Sequence, residues 1–229
     1  MATIEKNMQA VKMCIAAACA GAGRSAGEVL LVAVSKTHPP EAVREAVRAG
    51  QRDFGENYVQ EALGKIAALA DAALAWHFIG PIQSNKTRAI AENFRWAHTV
   101  DREKIAVRLS DQRPEHLPAL QVCIEVNVSG EETKSGVAPE ALGALAKSVC
   151  ALPRIKLRGL MAIPEPSTDM ALARRRFRML RELRDDLNRD GLALDTLSMG
   201  MSADLEAAIA EGATIVRVGA AIFGERKSA

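Results

Sequence analysis

The sequence predicts an α/β protein whose 229 residues form one (β/α)8 barrel with an extra helix at the N-terminus. Eight short apolar runs alternate with amphipathic stretches along the chain. Several of these runs are almost continuously apolar, which is typical of parallel strands buried on both faces. Strict alternation of strands and helices implies right-handed crossovers between parallel strands. No linker rich in Pro, Gly or Ser divides the chain, so we predict a single domain over residues 1–229.

The second and seventh of the predicted strands have the weakest signals. In chain order, the eight strands are predicted at Val29–Val34, Arg52–Phe54, Trp76–Ile79, Trp96–Val100, Leu120–Val128, Leu157–Ile163, Leu197–Gly200 and Ile215–Val218. The alternative architecture is an open doubly wound sheet. The sequence disfavours it because no G-x-G-x-x-G motif is present, and Gly21-Ala22-Gly23 precedes a strand instead of following one.

The helical stretches have residues typical of helix starts and ends and an amphipathic spacing of apolar residues. The stretch Pro39–Ala49 has Pro40 near its first turn, and Gly50 comes just after its end. The stretch Met170–Arg189 spaces its apolar residues by three or four, so one stripe faces the sheet. The opening segment, Ile4–Ala20, is also helical, whereas no long helix follows the last strand. We therefore expect the first helix to take the place in the outer ring that a last helix would have filled.

Composition and charge exclude several classes of function. Lys and Arg (30) nearly balance Asp and Glu (28), and the net charge of +2 predicts no dedicated nucleic-acid or membrane surface. No apolar run reaches the roughly 20 residues of a membrane span, and the charged N-terminal segment is unlike a signal peptide, so we expect a cytoplasmic protein. The cysteines form no C-x-x-C and the histidines no H-E-x-x-H, so we expect no metal site. The absence of G-x-S-x-G disfavours a serine hydrolase.

Chemically unusual residues collect at the predicted carboxyl ends of the strands, where barrels of this type place their active sites. Lys36 follows the apolar first strand. Desolvation lowers the pKa of a lysine and frees its amine to act as a nucleophile, as Schiff-base formation requires. The alternative is a lysine that reaches the surface through its flexible stem, with Ser35 and Thr37 opening a loop.

The turns after the last two strands have the features of a phosphate site. Barrels of this type often bind phosphate there, at a helix N-terminus. Ser202 is a natural N-cap for a helix predicted over Ala203–Glu211, and Gly219 lets backbone N–H groups approach an anion closely. Taken singly, the two residues are explained by a cap and a tight turn. Together, on adjacent strands, they favour phosphate binding.

Two polar residues interrupt apolar strands. Arg217 lies within the last strand and needs an acceptor if it is buried. That acceptor is either the ring nitrogen or phosphate of a ligand, or a barrel carboxylate such as Glu125 or Glu56. His77 lies near the end of the third strand, and it is either a core histidine satisfied by its neighbours or a residue of the ligand site.

Nine segments resemble motifs of a known protein family. They are AVSK at 33–36, FGENYVQE at 54–61, WHFIG at 76–80, QSNK at 83–86, EVNVSGE at 125–131, KSG at 134–136, GLMAIP at 159–164, SMGMSAD at 198–204 and RVG at 217–219. Through these motifs the chain resembles the pyridoxal phosphate homeostasis protein family, single-domain relatives of the alanine racemase barrel, over residues 29–225.

The resemblance implies a TIM barrel of the alanine racemase N-terminal domain type. It implies that Lys36 carries pyridoxal 5'-phosphate (PLP) as a covalent aldimine. Ser202 and the backbone of Gly219 would form the phosphate site. Arg217 would face the pyridine nitrogen, and Asn57 would lie beside the cofactor.

One residue departs from the family pattern. Ala220 stands where the family usually has a threonine, which removes one hydroxyl from the expected phosphate site and predicts a weaker hold on phosphate. We also expect His77 and Met199 to contact the cofactor.

The favoured function is to hold, buffer or deliver PLP in vitamin B6 homeostasis, without robust turnover and with no catalytic residue assigned. An arginine at the pyridine nitrogen disfavours its protonation and so weakens the electron sink on which most PLP enzymes depend. The alanine racemase relatives use a tyrosine from a second domain as their second base, whereas we expect no second domain here. The first alternative is an amino-acid racemase that uses Lys36 and Tyr58, the only tyrosine. The second is a Schiff-base aldolase or phosphate-sugar isomerase that works without PLP.

The expected partners are PLP itself and apo PLP-dependent enzymes that receive it. We expect the chain to be a monomer. Lys134, in the polar loop after the fifth strand, is either an exposed loop lysine or a transient acceptor of PLP during loading and release.

Overall fold

The strands form a closed parallel barrel, which confirms the predicted fold class. The computed structural model describes residues 3–130, 135–167 and 169–224. Neighbouring strands pair in chain order, and the last strand pairs with the first. The strands are β1 (Leu30–Val34), β2 (Asp53–Glu56), β3 (Ala75–Phe78), β4 (Trp96–Val100), β5 (Leu120–Glu125), β6 (Ile155–Met161), β7 (Thr196–Ser198) and β8 (Ile215–Val218).

Helices cover the outside of the barrel. They are α1 (Ile4–Gly21), α2 (Pro40–Arg48), α3 (Val59–Ala68), α4 (Thr87–Asn93), α5 (Glu103–Gln112), α6 (Pro139–Cys150), α7 (Met170–Arg189), α8 (Leu205–Ala210) and α9 (Ala220–Phe223). The predicted second and seventh helices are confirmed. Helix α1 packs against α2, α8 and α9. Because α9 has only four residues, α1 fills the outer ring beside β8, as expected.

The carboxyl ends of five strands differ from the prediction. Strand β3 ends one residue early, at Phe78, and β7 ends two residues early, at Ser198. Strand β5 ends at Glu125, where Val128 was expected, and β6 ends at Met161, two residues short of the prediction. After β5 the pairing is reduced to an isolated bridge made by Val126. Val126 and Val128 are still buried, so the apolar pattern continues after the strand has ended. Strand β2 continues to Glu56. Because the Glu56 side chain is polar although it is buried, the apolar pattern used to predict strands ended before it.

The barrel contains two apolar clusters of different size. The large one lies between the strands and the helices, and Phe54, Phe177 and Leu109 are fully buried in it. The small one fills the inside of the barrel and consists of Val32, Trp96, Cys123, Met161 and Ile215. Buried polar side chains share the inside of the barrel with this small cluster, and they lead toward the carboxyl ends of the strands.

A glycine in β6 allows β6 and β7 to pack closely. Gly159 pairs with Thr196 next to an irregularity in the β5–β6 ladder. A Cβ atom added at Gly159 would overlap the carbonyl oxygen of Thr196. This overlap is with backbone, which has little freedom to move inside a closed ladder.

We expect the substitution Gly159→Ala to lower the free energy of unfolding by about 1–3 kcal/mol, because β6 and β7 must separate to admit the methyl group. Urea denaturation followed by circular dichroism measures the change. Gly143→Ala, in α6, is the matched control. A Cβ at Gly143 meets no atom within 4 Å, so that variant should gain about 0.5–1 kcal/mol from helix propensity. Equal stability of Gly159→Ala and the parent protein would contradict the close approach.

Candidate functional site

A cavity of about 310 Å³ opens at the carboxyl ends of the strands. This volume suits a small organic ligand. Six of the eight residues predicted to bind a cofactor line it together: Lys36, Asn57, Ser202, Arg217, Gly219 and Ala220. The other lining residues are Val34, His38, Ile79, Ile163, Met201, Ala203 and Gly224. The lining therefore combines an amine, a guanidinium, an amide and a hydroxyl with apolar walls.

Lys36 lies between two residues whose backbone is fixed. Ser35 continues the β1–β2 ladder by donating its N–H to the carbonyl oxygen of Gly55 at 3.0 Å. Thr37 has a φ of 67°, in the left-handed region that a β-branched residue rarely adopts. Its N–H donates to Glu61 Oε1 at 2.6 Å. A strained residue of this kind costs about 1–3 kcal/mol and is held only where the surroundings impose it. The turn thus directs the half-buried Lys36 side chain into the cavity.

A buried ion pair supports this turn. Lys65 Nζ donates to Glu56 Oε1 at 2.7 Å, to Glu61 Oε1 at 2.6 Å and to the carbonyl oxygen of Ser35 at 2.6 Å. Burial raises the pKa of the Glu56 carboxyl, while Lys65 and the Ser35 hydroxyl oppose that rise. This ion pair was not predicted from the sequence. The available signal is that Lys65 falls on the buried stripe of α3, three residues after Ala62.

The end of the cavity formed by β8 is shaped by a glycine. A Cβ at Gly219 would lie 3.1 Å from the carbonyl oxygen of Val34, so the ends of β1 and β8 approach closely there. Helix α9 begins at Ala220, directly after Gly219. The first N–H groups of a helix lack acceptors within the helix, so this end of the cavity offers backbone donors.

The predicted capping role of Ser202 is wrong. Helix α8 begins at Leu205, and its N-cap is Asp204. The Asp204 carboxylate accepts from the N–H of Met201 at 2.6 Å and so closes the turn between β7 and α8. Ser202 is exposed within this turn and lines the cavity.

Arg217 is only 3% exposed and yet lines the cavity. Its Nη1 donates to Ser198 Oγ at 2.7 Å, and its Nη2 donates to the carbonyl oxygen of Ala162 at 3.0 Å. Burial lowers the pKa of the guanidinium to about 10, so the group is a cation at neutral pH.

Neither carboxylate proposed from the sequence accepts a hydrogen bond from Arg217 in the described structure. Glu56 binds Lys65 instead. Burial, helped by the charge of Asp101, raises the pKa of Glu125 to about 7, and the charge of Arg217 acts against this rise.

Asn57 presents an acceptor with no partner. Its Oδ1 atom is buried and lacks a hydrogen bond among the described residues. Its backbone is held in place by Gly80, where an added Cβ would overlap the carbonyl oxygen of Asn57. A buried acceptor without a donor costs about 1–3 kcal/mol, so a ligand that donates to Asn57 would recover this energy.

His77 and Met199, which are expected to contact the cofactor, are not among the residues that line the cavity. Both side chains are fully buried. His77 points inward and binds His98, with 2.9 Å between His77 Nδ1 and His98 Nε2. Met199 faces outward into the large apolar cluster, because it alternates with the inward-facing Ser198. A position near the end of a strand therefore does not by itself mean that the side chain lines the cavity.

The residues that the structure describes, 3–130, 135–167 and 169–224, contain neither a metal-binding cluster nor a helix that could span a membrane. Lys134 lies outside the described residues, so the structure does not address its role.

Comparison with known proteins gives consistent matches over nearly the whole chain. The family model for the alanine racemase N-terminal domain matches residues 8–227. The pyridoxal phosphate homeostasis protein of Pseudomonas aeruginosa is 64% identical, covering 99% of this chain and 97% of its own. The protein of the same name from Vibrio cholerae is 54% identical, with 99% and 98% covered.

A solved structure shares both sequence and fold with the chain. PipY of Synechococcus elongatus, solved with PLP bound, is 42% identical with a TM-score of 0.81, and the match covers 86% of this chain and 93% of PipY. The chain therefore belongs to the pyridoxal phosphate homeostasis protein family, within the larger group of proteins that match the alanine racemase N-terminal domain.

Proposed function

We propose that this protein binds PLP in the cavity at the carboxyl ends of the strands and holds it for cellular vitamin B6 homeostasis, without robust turnover. The observation that carries the proposal is the meeting of Lys36, Arg217 and the Gly219 turn in one cavity of about 310 Å³. An amine suits an aldehyde, a guanidinium suits a ring nitrogen, and a glycine turn suits a phosphate. The PLP-bound relative and the names of the curated relatives support the same ligand.

Lys36 is the residue proposed to hold PLP covalently. Its Nζ, as the neutral amine, attacks the aldehyde carbon, a C=N bond replaces the C=O bond, and one water molecule leaves. The Thr37 turn and the Glu56–Lys65 pair below it fix the direction of approach. Covalent attachment retains the aldehyde, which would otherwise react with free amines elsewhere.

The remaining site residues are proposed to orient the ring and the phosphate. Arg217 faces the pyridine nitrogen and donates to it, and Asn57 offers its buried acceptor beside the ring. Ser202 and the backbone at Gly219 and Ala220 hold the phosphate. Charge-assisted hydrogen bonds of this kind are the stronger ones in proteins.

The site favours holding PLP over turning over amino acids. PLP supplies an electron sink when its ring nitrogen is protonated, and a cationic donor such as Arg217 disfavours that protonation. The racemase alternative needs Tyr58 as the second base. Tyr58 is 54% exposed and is not among the residues that line the cavity. We therefore propose no catalytic residue.

The proposed setting is the bacterial cytoplasm, with apo PLP-dependent enzymes as recipients. The family name of the relatives supports a role in the supply of PLP. We retain the monomer as the proposed form of the protein.

We expect Lys36→Ala to abolish the visible absorbance of the Schiff base with PLP, because no amine is left at the strand end to form it. Absorption spectra before and after borohydride treatment, followed by peptide mapping, measure the attachment. Lys104→Ala removes an exposed lysine of α5 and is the control that should keep the spectrum. An unchanged spectrum in Lys36→Ala would refute the assignment.

The same preparation separates the alternative functions. Exchange of the α-deuterium of D- and L-amino acids at enzymatic rates would favour the racemase. Colourless protein that borohydride traps only with a sugar phosphate would favour the aldolase or isomerase. Restored activity of an apo-enzyme mixed with the loaded protein is the result expected for PLP delivery.

We expect Ala220→Thr to tighten PLP binding about 10- to 100-fold, because one hydrogen bond to a charged group contributes about 1.5–3 kcal/mol. Fluorescence titration of the ligand-free protein with PLP measures the dissociation constant. Ala221→Thr adds the same hydroxyl one residue later, outside the cavity lining, and should leave binding unchanged. Equal affinity of the two variants would remove Ala220 from the phosphate site.

A further inference from the structure

Four polar side chains join Arg217 to the opposite end of the barrel through consecutive hydrogen bonds. Arg217 Nη1 donates to Ser198 Oγ at 2.7 Å, and Ser198 Oγ lies 2.7 Å from His98 Nδ1. His98 Nε2 lies 2.9 Å from His77 Nδ1. His77 Nε2 in turn lies 3.1 Å from Asp53 Oδ1. Asp53 is the first residue of β2, so this chain of hydrogen bonds runs from the amino ends of the strands to the cavity.

The chemistry of the groups fixes every proton in this chain. Burial lowers the pKa of both His77 and His98, so both rings are neutral and each has one N–H. The carboxylate of Asp53 only accepts, so the His77 proton is on Nε2. His77 Nδ1 then accepts from His98 Nε2, and His98 Nδ1 accepts from the Ser198 hydroxyl. The Ser198 oxygen is left to accept from Arg217.

All four hydrogen bonds therefore point in one direction, from the guanidinium to the carboxylate. Bonds aligned in this way polarise one another in a medium of low dielectric constant. His77, His98 and Ser198 are fully buried, and the side chain of Asp53 is 23% exposed. The ring of Trp96 stacks on His77, with 5.6 Å between centroids and an interplanar angle of 6°. The hydrogen-bond chain is thus shielded from water along its middle and approaches solvent at its two ends, Asp53 and the cavity-lining Arg217.

We propose that Asp53, His77, His98 and Ser198 are positioning residues for Arg217, and that they hold its guanidinium in the orientation in which it meets the ligand. The inference rests on the proposed function, since the ligand opposite Arg217 is taken to be the PLP ring. It adds to that function a set of residues that do not touch the ligand. The backbone carbonyl of Ala162 supplies the second fixed contact of Arg217, so the guanidinium is held at two points and its plane is set.

The decisive variants alter the two ends of the chain. Ser198→Ala breaks the contact with Arg217 and should weaken PLP binding about tenfold, by analogy with the loss of hydrogen-bond partners behind metal ligands. Asp53→Asn keeps an acceptor for His77 but removes the negative charge. We expect it to weaken binding less and to shift the absorption maximum of bound PLP in the same direction as Ser198→Ala. Because Asp53 is partly exposed, this variant tests the chain even if Ser198→Ala does not fold.

Asp195→Asn is the matched control. Asp195 lies at the same end of the barrel, directly before β7, but pairs with Arg158 and has no bond to the chain. This variant should leave both the affinity and the absorption maximum of bound PLP unchanged. If Asp53→Asn and Ser198→Ala both bind PLP with the parent's affinity and spectrum, the proposal is overturned. If Asp195→Asn shifts the spectrum as much as Asp53→Asn does, a general charge effect replaces it.

A second measurement needs no ligand. Long-range ¹⁵N–¹H NMR of the ligand-free protein reads the tautomer of each histidine, and we expect the proton on Nε2 in both His77 and His98. In Ser198→Ala, the signal of His98 Nδ1 should move toward that of an imidazole nitrogen without a donor. A proton on Nδ1 of either ring would contradict the proposed direction of the hydrogen bonds. Failure of the parent to bind PLP would sink the proposed function alone, because the tautomers are read without PLP.

Discussion

The pairing of β8 with β1 is the constraint on which the cavity depends. Their register places Val32 beside Arg217 and Ala33 beside Val218. Lys36 and Gly219 follow these paired residues, so closure of the barrel brings residues from the two ends of the chain to one mouth. The close contact of Gly219 with Val34 shows how little space separates the two strand ends. The amine and the glycine turn therefore share a cavity because the sheet is closed.

A buried, hydrogen-bonded cation lies on each side of this mouth, whereas Glu56 Oε2, beside Lys65, has no partner among the described residues. Lys65 satisfies its ammonium with three oxygens below the Lys36 turn, and Arg217 is held by Ser198 and a backbone carbonyl. A buried ion without such partners would be strongly destabilising. These networks rigidify their surroundings because breaking any one bond leaves a buried polar group unpaired. The barrel thus presents fixed polar groups to a ligand instead of flexible ones.

Sequence reasoning succeeded where position along a strand was enough. The alternation of apolar runs and amphipathic stretches predicted the closed barrel, and the residues after its strands predicted Lys36, Asn57 and Gly219 in the cavity lining. It did not predict the direction in which individual side chains point. Met199 faces the helices and His77 faces the barrel interior. Each lies within a residue or two of a strand end, and a shift of one residue reverses the face to which a strand side chain points.

The sequence by itself determined the fold class, the family and the side chains available to the cavity, because periodicity and local motifs are properties of neighbouring residues. Only the tertiary structure decided which polar residues meet. His77 and His98 are separated by 21 positions, and His98 and Ser198 by 100, yet each pair is in hydrogen-bond contact. The pairing of Glu56 with Lys65 likewise depends on how α3 packs against β2. Such contacts follow from barrel closure and inward side-chain direction, which no local pattern of residues records.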